Sequence, residues 1–463
     1  MINNITEKLI KLIQNREGAG NKKTLLRKNC SPLEFLNTID LELNDTGTTS
    51  GVLNNLIDKV IENSVHTDHA FFMNQMYGKQ QRVAVLGEIL TTLLNTSMYT
   101  FEVAPVMTLI EKECIKRLSS FVWNTPADGV FTPGSSISNI MAMMLARNAK
   151  FPESKITGLF NNSRLRIFVS EEAHYSFLKG ALFLGYGKKS IVKIKSDAKG
   201  KIDIHSLNHA IDKEKQLGNI PLMLVGIAGT TISGGYDNIS SLALIASNHN
   251  MWFHVDAAYG GSLLFSAKER GKLNGIDHAD SVSWSLHKIM GIPLVCAVLL
   301  TKKPSVLNES FAVTANYLFH DNNDLDLGQK SLQCGRRPEG LKLWLSWKYE
   351  GDKGFEKRVN KLMETAHQFA DKIHQYKNLE LLCMPESPIV CFRYRNGKLS
   401  LNRLNILNKK IREKIFHDGH FIFNYCTFKG TVYLRCVISD PNMESALIDA
   451  VLNEVISVGN QVI

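Results

Sequence analysis

An aspartate and a lysine, Asp256 and Lys288, are the side chains of this sequence whose setting best suits them to chemistry. Asp256 follows the apolar segment 252–255, and Lys288 comes shortly after segment 280–284, which reads Asp-Ser-Val-Ser-Trp. Both segments predict short buried strands. Ligands of open α/β sheets lie beyond the carboxyl ends of the strands, so the acid and the amine are expected to face one ligand. Without that context, such a pair is most often two solvated surface charges.

This pair matches the needs of an aldehyde cofactor that carries a pyridine ring. A lysine amine can form a Schiff base with the aldehyde, and a buried aspartate can hold the ring nitrogen protonated, which makes the ring an electron sink. The small residues 257–261 would let a flat ring approach the backbone. Lys288 lies within the apolar segment 284–290, where an unused charge would be costly. The sequence therefore predicts a site for pyridoxal 5'-phosphate (PLP).

Polar residues follow three other predicted strands or turns. Ser135 and Ser136 open a predicted helix, whose N–H groups and positive dipole end favour an anion, although an ordinary N-cap has the same sequence. His174 follows one predicted strand, and its imidazole could stack on a planar ring. Thr230 follows another. Several strand ends are thus expected to converge on one face of a sheet.

The composition is that of a soluble globular protein, with 44% hydrophobic and 21% charged residues. The formal charge of +10 is dispersed, without basic runs interleaved with aromatics, so no nucleic-acid partner is expected. The eight cysteines lack CxxC and zinc-finger spacings, which favours reduced thiols in the cytoplasm. His66 and His69 have no third ligand at a matching spacing, so no metal site is expected.

No membrane segment is predicted. The uncharged run 292–300 predicts a buried strand and is too short to cross a bilayer. The N-terminus lacks the uninterrupted apolar core of a signal peptide and predicts an amphipathic docking helix of a cytoplasmic protein. Its apolar residues at helical spacing are Ile5, Leu9, Ile10 and Ile13.

The 463 residues exceed what one core usually holds, so a large and a smaller domain are expected. Strands alternate with helices in the middle of the chain, which predicts a mainly parallel sheet. The predicted organisation is an N-terminal helical extension (1–65), a large PLP-binding domain (66–345) and a small C-terminal α+β domain (346–463). Segment 305–333 is irregular and is interpreted as a mobile lid.

Several motifs, in this order from about residue 69 to residue 441, make the chain similar to the group II PLP-dependent amino-acid decarboxylases, which have PLP fold type I, the fold of aspartate aminotransferase. These motifs are Gly134-Ser135-Ser136, Ala173-His174-Tyr175-Ser176, Ala228-Gly229-Thr230-Thr231, His254-Val255-Asp256-Ala257-Ala258 and His287-Lys288. Others resemble the glutamate and cysteine-sulfinate branch of that family, namely residues 69–75, 99–105, 332–337 and 341–344.

The resemblance implies roles for individual residues. Lys288 would be the Schiff-base lysine, Asp256 the partner of the pyridine nitrogen, and His174 the ring-stacking histidine that also helps proton transfer. Contacts with the cofactor are also implied for Ser135, Ser136, Thr230, Ala258, Ser285 and His287.

The substrate would be held by other residues. Gln75 and Arg435 match positions that bind the substrate's carboxylates, and Phe72 would enclose the substrate. A strand arginine is often a surface residue, but the guanidinium fork suits a carboxylate. The resemblance also implies a homodimer with its active site at the subunit interface.

Two departures from the family pattern stand out. Ser285-Leu286 replaces the usual Asn-Pro before His287-Lys288, with little change of role expected. In the predicted lid, no tyrosine follows Tyr317 as far as Gln333, whereas the family's lid tyrosine protonates the carbanion after CO2 leaves. His320 is a candidate donor in its place.

The expected reaction is decarboxylation of an L-amino acid to an amine and CO2. Gln75 and Arg435 favour an acidic substrate such as glutamate, aspartate or cysteine sulfinate. Four alternatives stay open: a diamino acid such as 2,4-diaminobutyrate as substrate, decarboxylation-dependent oxidative deamination, a transaminase that uses a keto acid, and a non-catalytic homologue that binds a partner. Retention of Lys288, Asp256 and His174 argues against the last.

Overall fold

A computed structural model describes residues 7–8, 10–11, 25–159, 164–313, 315, 318–319 and 324–462. Of the predicted N-terminal helix, Ile5, Leu9 and Ile13 lie outside the described residues, and so do Tyr317 and His320 of the predicted lid. The chain folds into two compact units. The large unit is Gln80–Glu364 with Pro385–Ile389, and the small unit is Met1–Lys79, Thr365–Met384 and Val390–Ile463. The domain boundaries after residues 65 and 345 stay a prediction.

Strands and helices alternate through the described part of the chain. The strands are β1 (Phe72–Met73), β2 (Asp128–Thr132), β3 (Leu165–Ser170), β4 (Ile191–Ile194), β5 (Ile220–Ile227), β6 (Trp252–Asp256), β7 (Ser281–Ser285), β8 (Ala297–Thr301), β9 (Leu379–Leu381), β10 (Ile389–Tyr394), β11 (Ile422–Phe428) and β12 (Thr431–Val437). The α-helices are α1 (Pro32–Thr38), α2 (Ser50–Asn63), α3 (Arg82–Leu94), α4 (Pro105–Ser119), α5 (Ser135–Lys150), α6 (Ser154–Thr157), α7 (Ser176–Phe183), α8 (Ile204–Gln216), α9 (Ile239–Asn248), α10 (Val306–Phe311), α11 (Gly340–His374), α12 (Leu401–Asp418) and α13 (Ser445–Gln461). Gly351 breaks α11 with φ 64°.

The large unit is built on a seven-stranded sheet in the order β2-β8-β7-β6-β5-β3-β4. Strand β8 is antiparallel to both neighbours, and the pairs from β7 to β4 are parallel. The carboxyl ends of β2, β3, β5, β6 and β7 therefore lie along one edge of the sheet. This confirms the predicted mainly parallel sheet.

The apolar sequences of the strands explain this sheet. Helices on a parallel sheet cover both faces, so the strands are near-continuous apolar runs. Buried residues such as Met141 and Leu145 of α5 pack in one core with Ile167, Val225 and Leu299 of the sheet. Within the described ranges, no helix is both long and apolar enough to cross a bilayer.

The predicted strand 292–300 is wrong in its first half, because strand β8 begins only at Ala297. Pro293 has no N–H to give to a sheet ladder. The N–H of Cys296 is directed instead to His287 Nδ1, at 3.1 Å.

The small unit contains a five-stranded sheet in the order β1-β11-β12-β10-β9. Strand β1 is parallel to β11, whereas β11 pairs antiparallel with β12 and β10 with β9. Helix α12 packs on β11, β12 and α13. This confirms the predicted C-terminal α+β arrangement.

Candidate active site

The predicted cofactor-binding residues all lie in the large unit, after the carboxyl ends of strands at one edge of its sheet. Each strand contributes a short polar segment to that edge. These residues are Ser285 at the end of β7 with His287 and Lys288 after it, Asp256 at the end of β6 with Ala258 after it, Thr230 after β5, His174 after β3, and Ser135 and Ser136 after β2.

Asp256 ends β6 and is only 7% exposed. Its Oδ1 accepts the N–H of Ala258 at 3.1 Å and the hydroxyl of Ser283 at 3.3 Å. Its Oδ2 accepts the side-chain amide of Asn139 at 2.9 Å. Because an ionised carboxyl group only accepts hydrogen bonds, these three donors suit a carboxylate held in one orientation.

His174 lies within electrostatic reach of both predicted catalytic charges. Burial lowers the pKa of its imidazole, and Lys288 lowers it further, while Asp256 acts in the opposite direction. Its Nδ1 accepts the N–H of Ser176 at 3.2 Å, which fixes the ring on the turn before α7. At neutral pH the ring is therefore uncharged, as suits stacking on another ring.

The start of α5 is the helix N-terminus at which the sequence predicts an anion. Gly134 adopts φ 108°, a conformation open to glycine, and turns the chain into the helix. Ser135 Oγ lies 2.6 Å from Ser285 Oγ, which joins the helix N-terminus to the end of β7. His287 Nδ1 lies 2.8 Å from the carbonyl oxygen of Cys296, and burial lowers the pKa of His287 to about 4.

The glycines after Asp256 meet tight packing. A Cβ on Gly260 would lie 2.5 Å from the carbonyl oxygen of Ala228, and one on Gly261 would lie 2.9 Å from the Trp284 ring. Thr230 is 1% exposed, and its hydroxyl lies 3.0 Å from Ser233 Oγ within one turn. Small residues are thus required here by the packing of the protein itself.

Sequence reasoning missed two residues of this site, Asn139 and His254. Asn139 is 1% exposed on α5, and its amide joins Asp256 to His254, whose Nε2 lies 3.1 Å from Asn139 Oδ1. The available signal was an amide four residues after Ser135, which places it on the same face of the helix.

The predicted substrate-binding residues lie in the small unit. Phe72 is 3% exposed in β1, and Gln75 is an exposed residue just after it. Arg435 is 7% exposed in β12, and its guanidinium donates to the carbonyl oxygen of Asn74 at 3.4 Å. Arg435 is therefore beside the segment that carries Gln75, and the interpretation of it as an exposed surface arginine is wrong.

Two buried histidines and one half-buried histidine predict that the protein loses stability in acid. Burial lowers the pKa of His69, His254 and His287 to about 4, below the value of 6.5 for an unperturbed histidine. Between these values the unfolded chain binds more protons, so stability is complete above about pH 6.5 and falls as the pH decreases. Asp237, whose pKa burial raises to about 6, acts in the opposite sense and offsets part of the loss.

We expect the melting temperature of the PLP-loaded protein, followed by circular dichroism, to be clearly lower at pH 5 than at pH 7. The loss is roughly 1–2 kcal/mol for each histidine. The His254→Gln variant should show a weaker pH dependence. Equal melting temperatures at the two pH values would contradict this assignment.

The residues at this edge fit PLP by the chemistry of their side chains. An amine for the aldehyde, a carboxylate for the ring nitrogen, hydroxyls at a helix N-terminus for the phosphate and a neutral imidazole are all present. The described residues contain no group of three or more His, Cys, Asp or Glu that could hold a metal ion. PLP is the cofactor that this set of residues suits.

Comparison with known proteins identifies the family. A family model described as the pyridoxal-dependent decarboxylase conserved domain matches residues 32–395. The chain is 36% identical to the acidic amino acid decarboxylase GADL1 of Mus musculus over 442 residues, covering 92% of this chain and 80% of that protein. It is 37% identical to the cysteine sulfinic acid decarboxylase of Mus musculus over 438 residues, covering 91% and 89%.

A solved structure shows the same fold. The crystal structure of mouse CSAD superposes with a TM-score of 0.93 at 34% identity, covering 98% of each chain. The expected family, PLP fold type I and PLP cofactor are confirmed. The chain belongs to the pyridoxal-dependent decarboxylase family.

Proposed function

We propose that this enzyme removes the α-carboxyl group of an acidic L-amino acid, glutamate, aspartate or cysteine sulfinate, and releases an amine and CO2. The observation that carries the proposal is the gathering of Lys288, Asp256 and His174 at one edge of the sheet, where Asp256 and Lys288 both act on the pKa of His174. When bound, PLP supplies an electron sink for the electron pair that CO2 leaves behind.

Each catalytic side chain has a separate task in this proposal. Lys288 would hold the cofactor through its amine. Asp256 would place its carboxylate at the ring nitrogen. His174, uncharged at neutral pH, would stack on the ring and exclude water from it.

The remaining residues hold and enclose the cofactor. Their hydroxyl, imidazole and backbone N–H groups suit the phosphate, and the short side chains leave room for the ring. Ser135, Ser136, Ser285 and His287 would contact the phosphate, and Thr230 and Ala258 would line the ring.

The assignment of an acidic amino acid as the substrate is supported by Arg435 and by the names of the two relatives. Arg435 offers a guanidinium next to the segment carrying Gln75, and a guanidinium binds a carboxylate through paired hydrogen bonds. Phe72 lies at the start of that segment and would enclose the substrate. The two relatives named above act on acidic amino acids, by their names.

Replacing Arg435 with glutamine should weaken the use of acidic substrates specifically. Loss of a charge-assisted hydrogen bond is expected to lower kcat/KM by roughly ten- to hundredfold, mainly through KM. Steady-state kinetics with glutamate, aspartate and cysteine sulfinate would measure it. The matched control is Arg393→Gln, an arginine of neighbouring strand β10 that pairs with Glu380 at 2.9 Å.

Two outcomes of that experiment would contradict the substrate assignment. One is an unchanged KM for every acidic substrate in the Arg435→Gln variant. The other is turnover of 2,4-diaminobutyrate alone by the wild-type enzyme, which would leave decarboxylation intact and replace the substrate.

The predicted lid favours a second candidate, decarboxylation-dependent oxidative deamination. No tyrosine occurs between residues 318 and 333, so the family's usual proton donor is missing from this stretch. Without that donor, the carbanion left by CO2 is exposed to oxygen for longer. With O2 as the two-electron oxidant and one water consumed, aldehyde, ammonia and hydrogen peroxide would then be released in place of the amine.

The assembly proposed is a homodimer with the active site at the subunit interface. Helices α3 and α4 leave several large apolar side chains exposed, and exposed apolar patches mark protein–protein surfaces. Light scattering should give a mass twice 51.9 kDa, and a fully active monomer would contradict the proposal. The exposed residues are Leu86, Ile89, Leu90, Leu93, Leu94, Val106 and Leu109.

A cytoplasmic location is supported by the thiols. None of the eight cysteines, which all lie in the described part of the chain, forms a disulfide bond, as expected of a protein in a reducing compartment. Fractionation of cells that express the tagged protein would test this, and recovery in a secreted fraction would contradict it.

A further inference from the structure

A row of buried hydrogen bonds runs from Asp256 to a tryptophan at the start of the same strand. Asn139 Nδ2 donates to Asp256 Oδ2 at 2.9 Å, and Asn139 Oδ1 lies 3.1 Å from His254 Nε2. His254 Nδ1 lies 2.8 Å from Ser281 Oγ, which accepts the indole N–H of Trp252 at 2.8 Å. His254 and Ser281 are 0% exposed. We call Trp252, Ser281, His254 and Asn139 the relay.

The direction of these hydrogen bonds is set first at the Asp256 end. A carboxylate only accepts, so Asn139 must present its N–H to Asp256 and its oxygen to His254. The nitrogen of His254 that faces this oxygen, Nε2, must then carry the proton. Burial lowers the pKa of His254 to about 4, so the ring is neutral and Nδ1 is an acceptor.

The Trp252 end sets the same direction independently. An indole N–H only donates, so Ser281 Oγ accepts from Trp252 and its hydroxyl hydrogen is available to His254 Nδ1. If the hydrogen bonds ran in the opposite direction, the indole N–H of Trp252 and the Nδ1–H of His254 would both point at Ser281 Oγ. Its own hydroxyl hydrogen would then lack a hydrogen-bond partner among the described residues, inside a site that water does not reach.

The relay also reaches the turn that carries His174. The second N–H of Asn139 donates to Ser176 Oγ at 3.0 Å, and the N–H of Ser176 is bound to His174 Nδ1. The single amide of Asn139 therefore ties together the carboxylate and the turn of the imidazole, and every polar atom of this amide is used.

We propose that the four relay residues are positioning residues that fix the charge and orientation of Asp256 and, through it, keep the ring nitrogen of bound PLP protonated. The inference rests on the proposed function, because it assigns Asp256 to the ring nitrogen. The relay residues act on the ring nitrogen through Asp256, and Asn139 also holds the turn that carries His174.

The effects of relay substitutions should decrease with the number of hydrogen bonds that separate the residue from Asp256. Asn139→Leu removes a charge-assisted bond and should weaken PLP binding by roughly ten- to hundredfold. His254→Phe should weaken PLP binding less. His254→Gln keeps a donor and an acceptor, so it should retain most of the wild-type affinity for PLP. Trp252→Phe should have the smallest effect of the relay variants.

The test is nitrogen NMR of holoenzymes reconstituted with PLP labelled with ¹⁵N at the ring nitrogen, whose chemical shift reports protonation. The wild type should show a protonated ring, and Asn139→Leu should move the shift toward the unprotonated value. The matched control is Trp123→Phe, which removes another buried indole N–H, bound to the carbonyl oxygen of Ala279 at 3.2 Å outside the relay. It should leave the shift unchanged.

The outcomes separate the relay from the proposed function. A wild-type shift and wild-type PLP affinity in Asn139→Leu would overturn the relay, and so would equal shifts in His254→Phe and His254→Gln if Asn139→Leu does not fold. A wild-type protein that binds no PLP would instead overturn the proposed function. The PLP affinity of Trp252→Phe and Trp123→Phe could instead fall equally, and in proportion to the drop in melting temperature. That result would show that the relay has a merely structural role.

Discussion

Replacing Lys288 with alanine should abolish decarboxylation while leaving the protein folded. The amine both holds the cofactor and takes part in proton transfer, and each positioned proton-transfer group is worth about 10²- to 10⁴-fold in rate. The variant should also lack the visible absorbance band of covalently held PLP. Stopped assays of CO2 release and an absorbance spectrum measure the two effects.

The control for this variant is Lys189→Ala, which removes an exposed lysine from the surface of the same unit. It should keep both activity and spectrum. Wild-type turnover by Lys288→Ala would show that another amine holds the cofactor, and the assignment of the site at the end of β7 would then be wrong.

Breaking the buried ion pair between Arg336 and Glu111 should cause the largest loss of stability. Arg336 Nη2 lies 2.6 Å from Glu111 Oε1, and the two residues are 4% and 1% exposed. Both also bind the backbone of Phe131 in β2, immediately before the turn at Gly134. Arg336→Met leaves a buried charge without its partner and should cost about 3–5 kcal/mol. Thermal unfolding of the holoenzyme would show it.

The neighbouring arginine provides a matched control. Arg337 is half exposed and pairs with Glu88 at the surface, so Arg337→Met should change stability by no more than about 1 kcal/mol. The double variant Arg336→Met with Glu111→Leu should recover part of the loss, since no buried charge is left unpaired. Equal stability of the two arginine variants would contradict this role for the pair.

The sequence was sufficient to predict that the candidate cofactor-binding residues gather at one edge of the sheet. A parallel sheet brings the ends of its strands together whatever the loops between them do, so apolar strands followed by polar residues locate the site. The strand predicted before His174 is present as β3, Leu165–Ser170. The prediction of a strand over 292–300 was wrong in its first half because it rested on apolar composition alone. The run contains Pro293, which has no N–H to give to a sheet ladder.

The contacts behind the site could not be predicted. Asn139 is separated from Asp256 by more than a hundred residues, and Arg336 from Glu111 by more than two hundred. Such pairs depend on how a helix packs on the sheet, which side-chain spacing along the chain does not reveal. The same holds for Arg435, whose burial in β12 depends on its neighbours in the small unit.

The most direct measurement is a product balance for the purified, PLP-loaded enzyme with glutamate, aspartate, cysteine sulfinate and 2,4-diaminobutyrate. CO2, amine, aldehyde and peroxide would be measured together, with the Lys288→Ala variant as the blank. Equal amounts of CO2 and amine from an acidic substrate are predicted. Aldehyde with peroxide, or no CO2 from any of the four, would contradict the account.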